Sequence, residues 1–164
     1  MKTKLLVAVA VLALALVALA GDEKPWFDME TCSFCKHLIE DPGLLHHCDW
    51  EHHKISDGVL TVTTVEDEYL DAFNTAMANM EEAGKKMQSG EMLPMCGMCT
   101  AMGNLMMTGA QWESVTTKHG SVSVLTSDDP AVVEKIHAFA DRTNDEMAKM
   151  MAAEDEHGHE GHDH

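Results

Sequence analysis

Trp50–Val65 reads WEHHKISDGVLTVTTV and Trp112–Thr126 reads WESVTTKHGSVSVLT. Each stretch holds two runs around a turn that ends in glycine. Trp50–Ser56 and Val59–Val65 flank Asp57-Gly58, while Trp112–Lys118 and Ser121–Thr126 flank His119-Gly120. Such runs around a short turn predict a β-hairpin, with the glycine supplying the positive φ that a tight turn prefers. The two stretches also match position by position at an offset of 62: Trp50-Glu51 with Trp112-Glu113, Gly58 with Gly120, Val62 with Val124, Thr64 with Thr126 and Asp67 with Asp129.

The match extends outward from the hairpins. Upstream, Cys32/Cys35 and Cys96/Cys99 form two C-x-x-C pairs 64 positions apart. Downstream, an offset of 63 aligns Leu70 with Val133, Phe73 with Ile136, Lys86 with Lys149 and Met87 with Met150. An ordered set of landmarks at a nearly fixed spacing indicates an internal duplication. Each copy reads as a short helix near its C-x-x-C, a hairpin and an amphipathic helix. The helical stripes are Leu70, Phe73, Met77, Met80, Gly84 and Met87 in one copy, and Val133, Ile136, Ala140, Thr143, Met147 and Met150 in the other. Asp129-Pro130 supplies an N-cap and a first helical residue.

A lone two-stranded hairpin is marginal in water. The expected fold is therefore α+β, with the copies paired about a pseudo-two-fold axis into a four-stranded antiparallel sheet and helices on one face. One domain, residues 21–152, is expected to be built from repeats at about 26–88 and 92–151. Residues 153–164, rich in Asp, Glu, His and Gly, have nothing to bury and are expected to form a disordered tail that captures metal loosely or simply solubilises.

The N-terminus carries Lys2 and Lys4, an apolar run from Leu5 to Leu19, and Ala18-Leu19-Ala20 before a charged stretch. This is the pattern of a cleavable export signal over Met1–Ala20, and its run of about fifteen apolar residues falls short of a bilayer span. The expected location is periplasmic or secreted, with no stable membrane insertion after cleavage. Against 28 acidic residues stand 11 lysines and arginines, a formal charge of −17 that becomes −19 without Lys2 and Lys4. That balance opposes nucleic acid and anionic lipid and favours cations.

Five cysteines in an exported chain would ordinarily point to disulfides, yet four of them fall in C-x-x-C pairs, a spacing that serves soft-metal binding or redox chemistry equally well. If the copies pack symmetrically, Cys32, Cys35, Cys96 and Cys99 converge on one tetrahedral ion; if not, each pair holds its own. Met95 and Met98, beside the second pair, offer thioethers that would favour Cu(I). His46-His47-Cys48-Asp49-Trp50-Glu51-His52-His53 offers imidazoles, a thiol and carboxylates, with His47, Cys48 and His52 as the candidate ligands. His52 and His53 point to opposite faces of a strand, so at most one can join a site with the cysteines.

Heavy-metal-associated copper chaperones of the ferredoxin-like type carry their C-x-x-C after a first strand, and thioredoxin-like proteins after a central one; no strand precedes either motif here. The chain also lacks G-x-S-x-G, H-E-x-x-H and a glycine-rich phosphate loop, so no hydrolase is indicated. The expected function is an exported copper or zinc buffer, chaperone or sensor without catalysis, whose partners are metal ions and a metal-transport or redox protein. The alternatives are a thiol–disulfide redox protein and a structural domain with stapled cysteines.

Overall fold

The computed structural model describes residues 24–158, and side chains as far as residue 152. The expected signal peptide over residues 1–20 and the last part of the expected tail, residues 159–164, lie outside the described residues. Strands β1 (Cys48–Ile55) and β2 (Gly58–Val65) lead into helix α1 (Leu70–Gln88); α2 (Gly97–Met107) leads into β3 (Gln111–Thr117), β4 (Gly120–Thr126) and α3 (Pro130–Gly158). The fold is mixed, three α-helices with one antiparallel sheet of order β1-β2-β4-β3. No helix among the described residues is long and apolar enough to cross a membrane.

The central pairing joins the two hairpins. Gly58 lies opposite Thr126 and Gly120 opposite Thr64, with Thr61 opposite Ser123. Positions 62 apart in the sequence are thus exchanged across the β2–β4 seam. Bonds just beyond the strands repeat the exchange: Val65 N donates to His119 O over 2.9 Å, and Ser127 N to Asp57 O over 3.0 Å.

The register corrects the expected turns. Ile55 pairs with Gly58 and Thr117 with Gly120, so the turn residues are Ser56-Asp57 and Lys118-His119, each one position earlier than the pattern suggested. The glycines begin the return strands. A Cβ on Gly58 would run into the Leu125 carbonyl oxygen, and one on Gly120 into that of Thr63. Gly120 alone of the pair has positive φ, at 130°. Both are therefore glycine because the two central strands approach too closely there for a side chain. Gly120→Ala combines a backbone clash with an unfavourable φ, and should lower the unfolding free energy by roughly 2–5 kcal/mol, read from urea midpoints at unchanged slope.

The first copy's expected short helix is only a 3-10 turn, Cys35–Leu38, because Pro42-Gly43 follows too soon for an α-helix to propagate. No proline follows Cys96 and Cys99 so soon, and α2 forms there. Asp129 caps α3 as expected, its Oδ1 accepting from Ala131 N over 2.9 Å. Helix α3 runs to Gly158, past Ala153, where the tail was expected to begin; Ala152, Ala153, Glu154 and Glu156 are good helix formers.

The core lies in two apolar clusters. Val59 and Leu125 from the sheet meet Val132, Ile136, Phe139 and Ala140 of α3, together with Leu105 of α2 and Trp26. Val65 meets Phe73 and Ala76 of α1 and Leu44. Burying a side chain such as Leu125 or Phe73 contributes about 1.5–3 kcal/mol. His137 ties α3 to the first hairpin: its Nε2 lies 3.0 Å from both the Ile55 and Gly58 carbonyl oxygens, so it must carry the proton and donate.

Candidate metal centre

A third cluster is formed by Cys32, Cys35 and Cys96, with Met29, Phe34, Met98 and Cys99 packed against it. Cys96 is the N-cap of α2 in extended conformation and Cys99 lies in that helix's first turn. Cys35 opens the 3-10 turn that follows Cys32. Local hydrogen bonds set this shape. Asp28 Oδ1 accepts from Glu30 N and Thr31 N over 3.1 and 2.8 Å, turning the chain just before Cys32. The Thr31 hydroxyl and amide hold the Asp28 carboxyl below the usual carboxylate range.

Longer-range bonds then lock the two motifs together. Gly97 N and Met98 N, two of the donors a helix leaves unpaired at its start, donate to Pro25 O and Trp26 O, each over 2.9 Å. Reciprocally, Ser33 N donates to Pro94 O over 2.9 Å. Gly97 permits the approach, since a Cβ there would sit 3.1 Å from Pro25 O. Trp26 is in turn held by Phe139, with ring centroids 5.7 Å apart, and by the Arg142 guanidinium 4.2 Å above its ring. The segment bearing the first cysteine pair is thus anchored to α2 and α3 independently of sulfur.

All four sulfurs, of Cys32, Cys35, Cys96 and Cys99, lie within 4.8 Å of one another. The Cys32–Cys99 and Cys35–Cys99 separations are 3.6 Å and Cys35–Cys96 is 3.7 Å. No disulfide joins them; a covalent S–S bond would be about 2.05 Å. Four thiolates about 2.3 Å from one ion occupy the corners of a tetrahedron whose edges are about 3.8 Å. The cluster approaches that geometry, so its four cysteines are placed to hold a metal ion. A multinuclear iron–sulfur cluster would spread its thiolates further apart.

The sulfurs share protons unevenly. Hydrogen bonds from Cys35 and then Cys99 favour the thiolate of Cys96 and pull its pKa far below the usual thiol range. The positive end of α2 acts in the same direction. Cys35 is pushed above that range chiefly by its bond to Cys96, and Cys99 chiefly by its bond to Cys35. An ion entering the site would replace these protons, so binding should release acid.

The other sequence candidates lie elsewhere. Among the described residues the four cysteines are the only group of three or more His, Cys, Asp and Glu side chains placed to hold an ion, and His47, Cys48 and His52, expected as further ligands, lie outside that group. His47 ends a 3-10 turn and stacks on Tyr69 at 4.1 Å and 7°. Its Nδ1 is 3.1 Å from a Glu66 carboxylate oxygen, at ion-pair distance but outside hydrogen-bond alignment. Cys48 packs against the Leu44, Val65, Phe73 and Ala76 cluster, where burial pushes its thiol up to about 11.

His52 is directed towards Asn144 of α3 and is kept neutral chiefly by burial, which lowers its pKa from 6.5. Because the unfolded chain takes up that proton more readily, stability should fall as pH drops below 6.5. The fall should be smaller in His52→Gln, as chemical denaturation at pH 5 and 7.5 would show.

Met98 packs on both the cysteines and the α3 core. Met95 is not among the apolar residues packed on the cysteines; its carbonyl accepts from Lys24 Nζ over 3.4 Å. Sequence reasoning missed Met29 and Phe34 as walls of the site, and Pro25, Trp26 and Pro94 as its backbone supports. Only Pro25-Trp26 left any signal, an aromatic residue after a proline at the start of the first repeat. No family model, no curated protein and no solved structure matches this chain.

Proposed function

We propose that the protein is an exported zinc-binding protein in which one Zn(II), held by Cys32, Cys35, Cys96 and Cys99, clasps two copies of a duplicated unit. The observation that carries this reading is the group of four sulfurs within 4.8 Å of one another, drawn from segments more than sixty residues apart. Tetrahedral all-sulfur coordination is the preference of zinc among the common biological cations, iron being the other candidate. Four protein ligands also close the coordination sphere. No position is left for water or substrate, which is the pattern of a structural rather than a catalytic site.

Thioethers are then unnecessary, and Met29 and Met98 serve as an apolar wall that keeps water from the ion. This shifts the balance away from copper, which the thioethers of Met95 and Met98 favoured in the sequence. The exchange of Gly58/Thr126 with Gly120/Thr64 across the sheet supports the duplication, as does the burial of Val59, Thr63, Val65, Ser123 and Leu125, alternate residues that fit helices covering one side. A duplicated chain paired about its own axis brings its two C-x-x-C motifs to a common point. Export rests on the Met1–Ala20 pattern and predicts a mature chain starting at Gly21.

The test is elemental analysis of protein purified without an affinity tag from the compartment it occupies, with free thiols counted in parallel. One zinc per chain is expected. Copper at that stoichiometry would replace zinc in the reading, and metal-free protein with its cysteines oxidised would overturn it.

A further inference from the structure

The four cysteines are not equally sheltered. Cys32 is 0% exposed, and Cys35 and Cys96 are 2% exposed, whereas Cys99 is only partly buried. The sulfur contacts at 3.6, 3.6 and 3.7 Å run between the motifs. Pairing Cys32 with Cys99 leaves Cys35 beside Cys96, so two disulfides can form without exchanging neighbours. Pairing Cys35 with Cys99 would leave Cys32 with Cys96, which lie within 4.8 Å but outside those three closest separations.

We infer that Cys99 is the oxidant-reactive residue of the centre, and that two peroxides, the first attacked there, form two cross-motif disulfides, Cys32–Cys99 and Cys35–Cys96, and expel the ion. The inference rests on the zinc reading above. Zinc has no redox chemistry of its own, so the sulfurs supply the electrons. The Cys99 thiolate attacks one peroxide oxygen; an S–O bond forms, the O–O bond breaks, and the departing hydroxide takes a proton to become water, leaving a sulfenic acid. Cys32 sulfur, 3.6 Å away, attacks the Cys99 sulfur, forming the S–S bond and releasing the second hydroxide, again protonated to water.

Two thiolates have then given two electrons to one hydrogen peroxide. Having lost half its ligands, the ion is held weakly, and a second peroxide oxidises Cys35 and Cys96 in the same way. The sum is one tetrathiolate centre, two peroxides and four protons giving Zn(II), two disulfides and four waters. In an oxidising compartment such a centre holds zinc while thiols survive and yields it when peroxide rises.

The experiment uses the full-length zinc-loaded wild-type chain, so no variant has to fold. Hydrogen peroxide is added below one equivalent with a sulfenic-acid trap, then to excess without it. Zinc release is followed with a chromophoric chelator, and disulfides are mapped by mass spectrometry without reduction. Exposed Met92 and Met107, at 95% and 79%, report the oxidant dose. The expected result is most of the cysteine trap on Cys99, Cys32–Cys99 as the first disulfide, and complete loss of zinc as the four thiols disappear. Trap mainly on another cysteine, a first disulfide within either C-x-x-C, or zinc retained after the thiols are lost would overturn the inference. Protein without zinc before peroxide is added defeats the zinc reading itself, and is recognised at that earlier step.

Discussion

Stripping the metal with a strong chelator under reducing conditions should lower the melting temperature by roughly 6–16 °C. A ligand present at 100 to 1,000 times its dissociation constant stabilises the state it binds by about 3–4 kcal/mol, and a domain of this size shifts by roughly 2–4 °C for each kcal/mol. The loss should be local before it is global. Residues 24–47 contain only short 3-10 turns, held in place by Trp26 and Leu44 in the core, by a few backbone bonds and by Cys32 and Cys35. Amide exchange should therefore accelerate first at Ser33, Gly97 and Met98, whose bonds join the two motifs. The β2–β4 seam should stay protected until global unfolding. Calorimetry with and without chelator, each with reductant, measures the first effect, and exchange mass spectrometry the second. An unchanged melting temperature would mean that the cysteine cluster is held by packing alone.

The second large effect is expected from Cys96→Ser. Serine is a favoured N-cap, and Cys96 makes no side-chain capping bond to lose, so α2 should start where it does now. The metal, by contrast, loses a thiolate. Spreading the roughly 10–16 kcal/mol of a structural zinc site over its four ligands gives about 2.5–4 kcal/mol each, a fall in affinity of roughly a hundred- to a thousandfold. Two controls separate this from general damage. Cys48→Ser should leave zinc affinity unchanged, because Cys48 belongs to the Leu44–Phe73 cluster. Met98→Leu should do the same, because a wall residue needs only its volume; a large loss there would make the thioether a ligand and return copper to the lead. Competition against a zinc chelator of known affinity, on all four proteins, gives the comparison.

How far these features could be read from sequence varies with their range. The hairpins were legible because β-branched runs and turn glycines are local signals, and a four-stranded antiparallel sheet followed from pairing them. The exact turn residues were not, since Gly58 and Gly120 are fixed by carbonyls of a strand that sequence does not place beside them. The shared C-x-x-C spacing made both cysteine pairs visible, but whether they formed one group or two depended on how the chain packs. Pro25 and Trp26 cap α2 from more than seventy residues away, which no periodicity can show. Composition misled most at His47-Cys48-Asp49-Trp50-Glu51-His52, where ligand-type residues crowd together. Backbone geometry divides them: His47 ends a turn and stacks on Tyr69, while Cys48 and His52 share a strand face yet reach different surroundings, one the Leu44 cluster and the other Asn144.

The most direct test of the central claim is X-ray absorption at the zinc edge on untagged, zinc-loaded protein. The account predicts a single shell of four sulfurs at about 2.3 Å, with no nitrogen or oxygen neighbour. A first shell containing nitrogen or oxygen at about 2.0–2.1 Å would contradict it, because the ion would then be bound somewhere other than among Cys32, Cys35, Cys96 and Cys99.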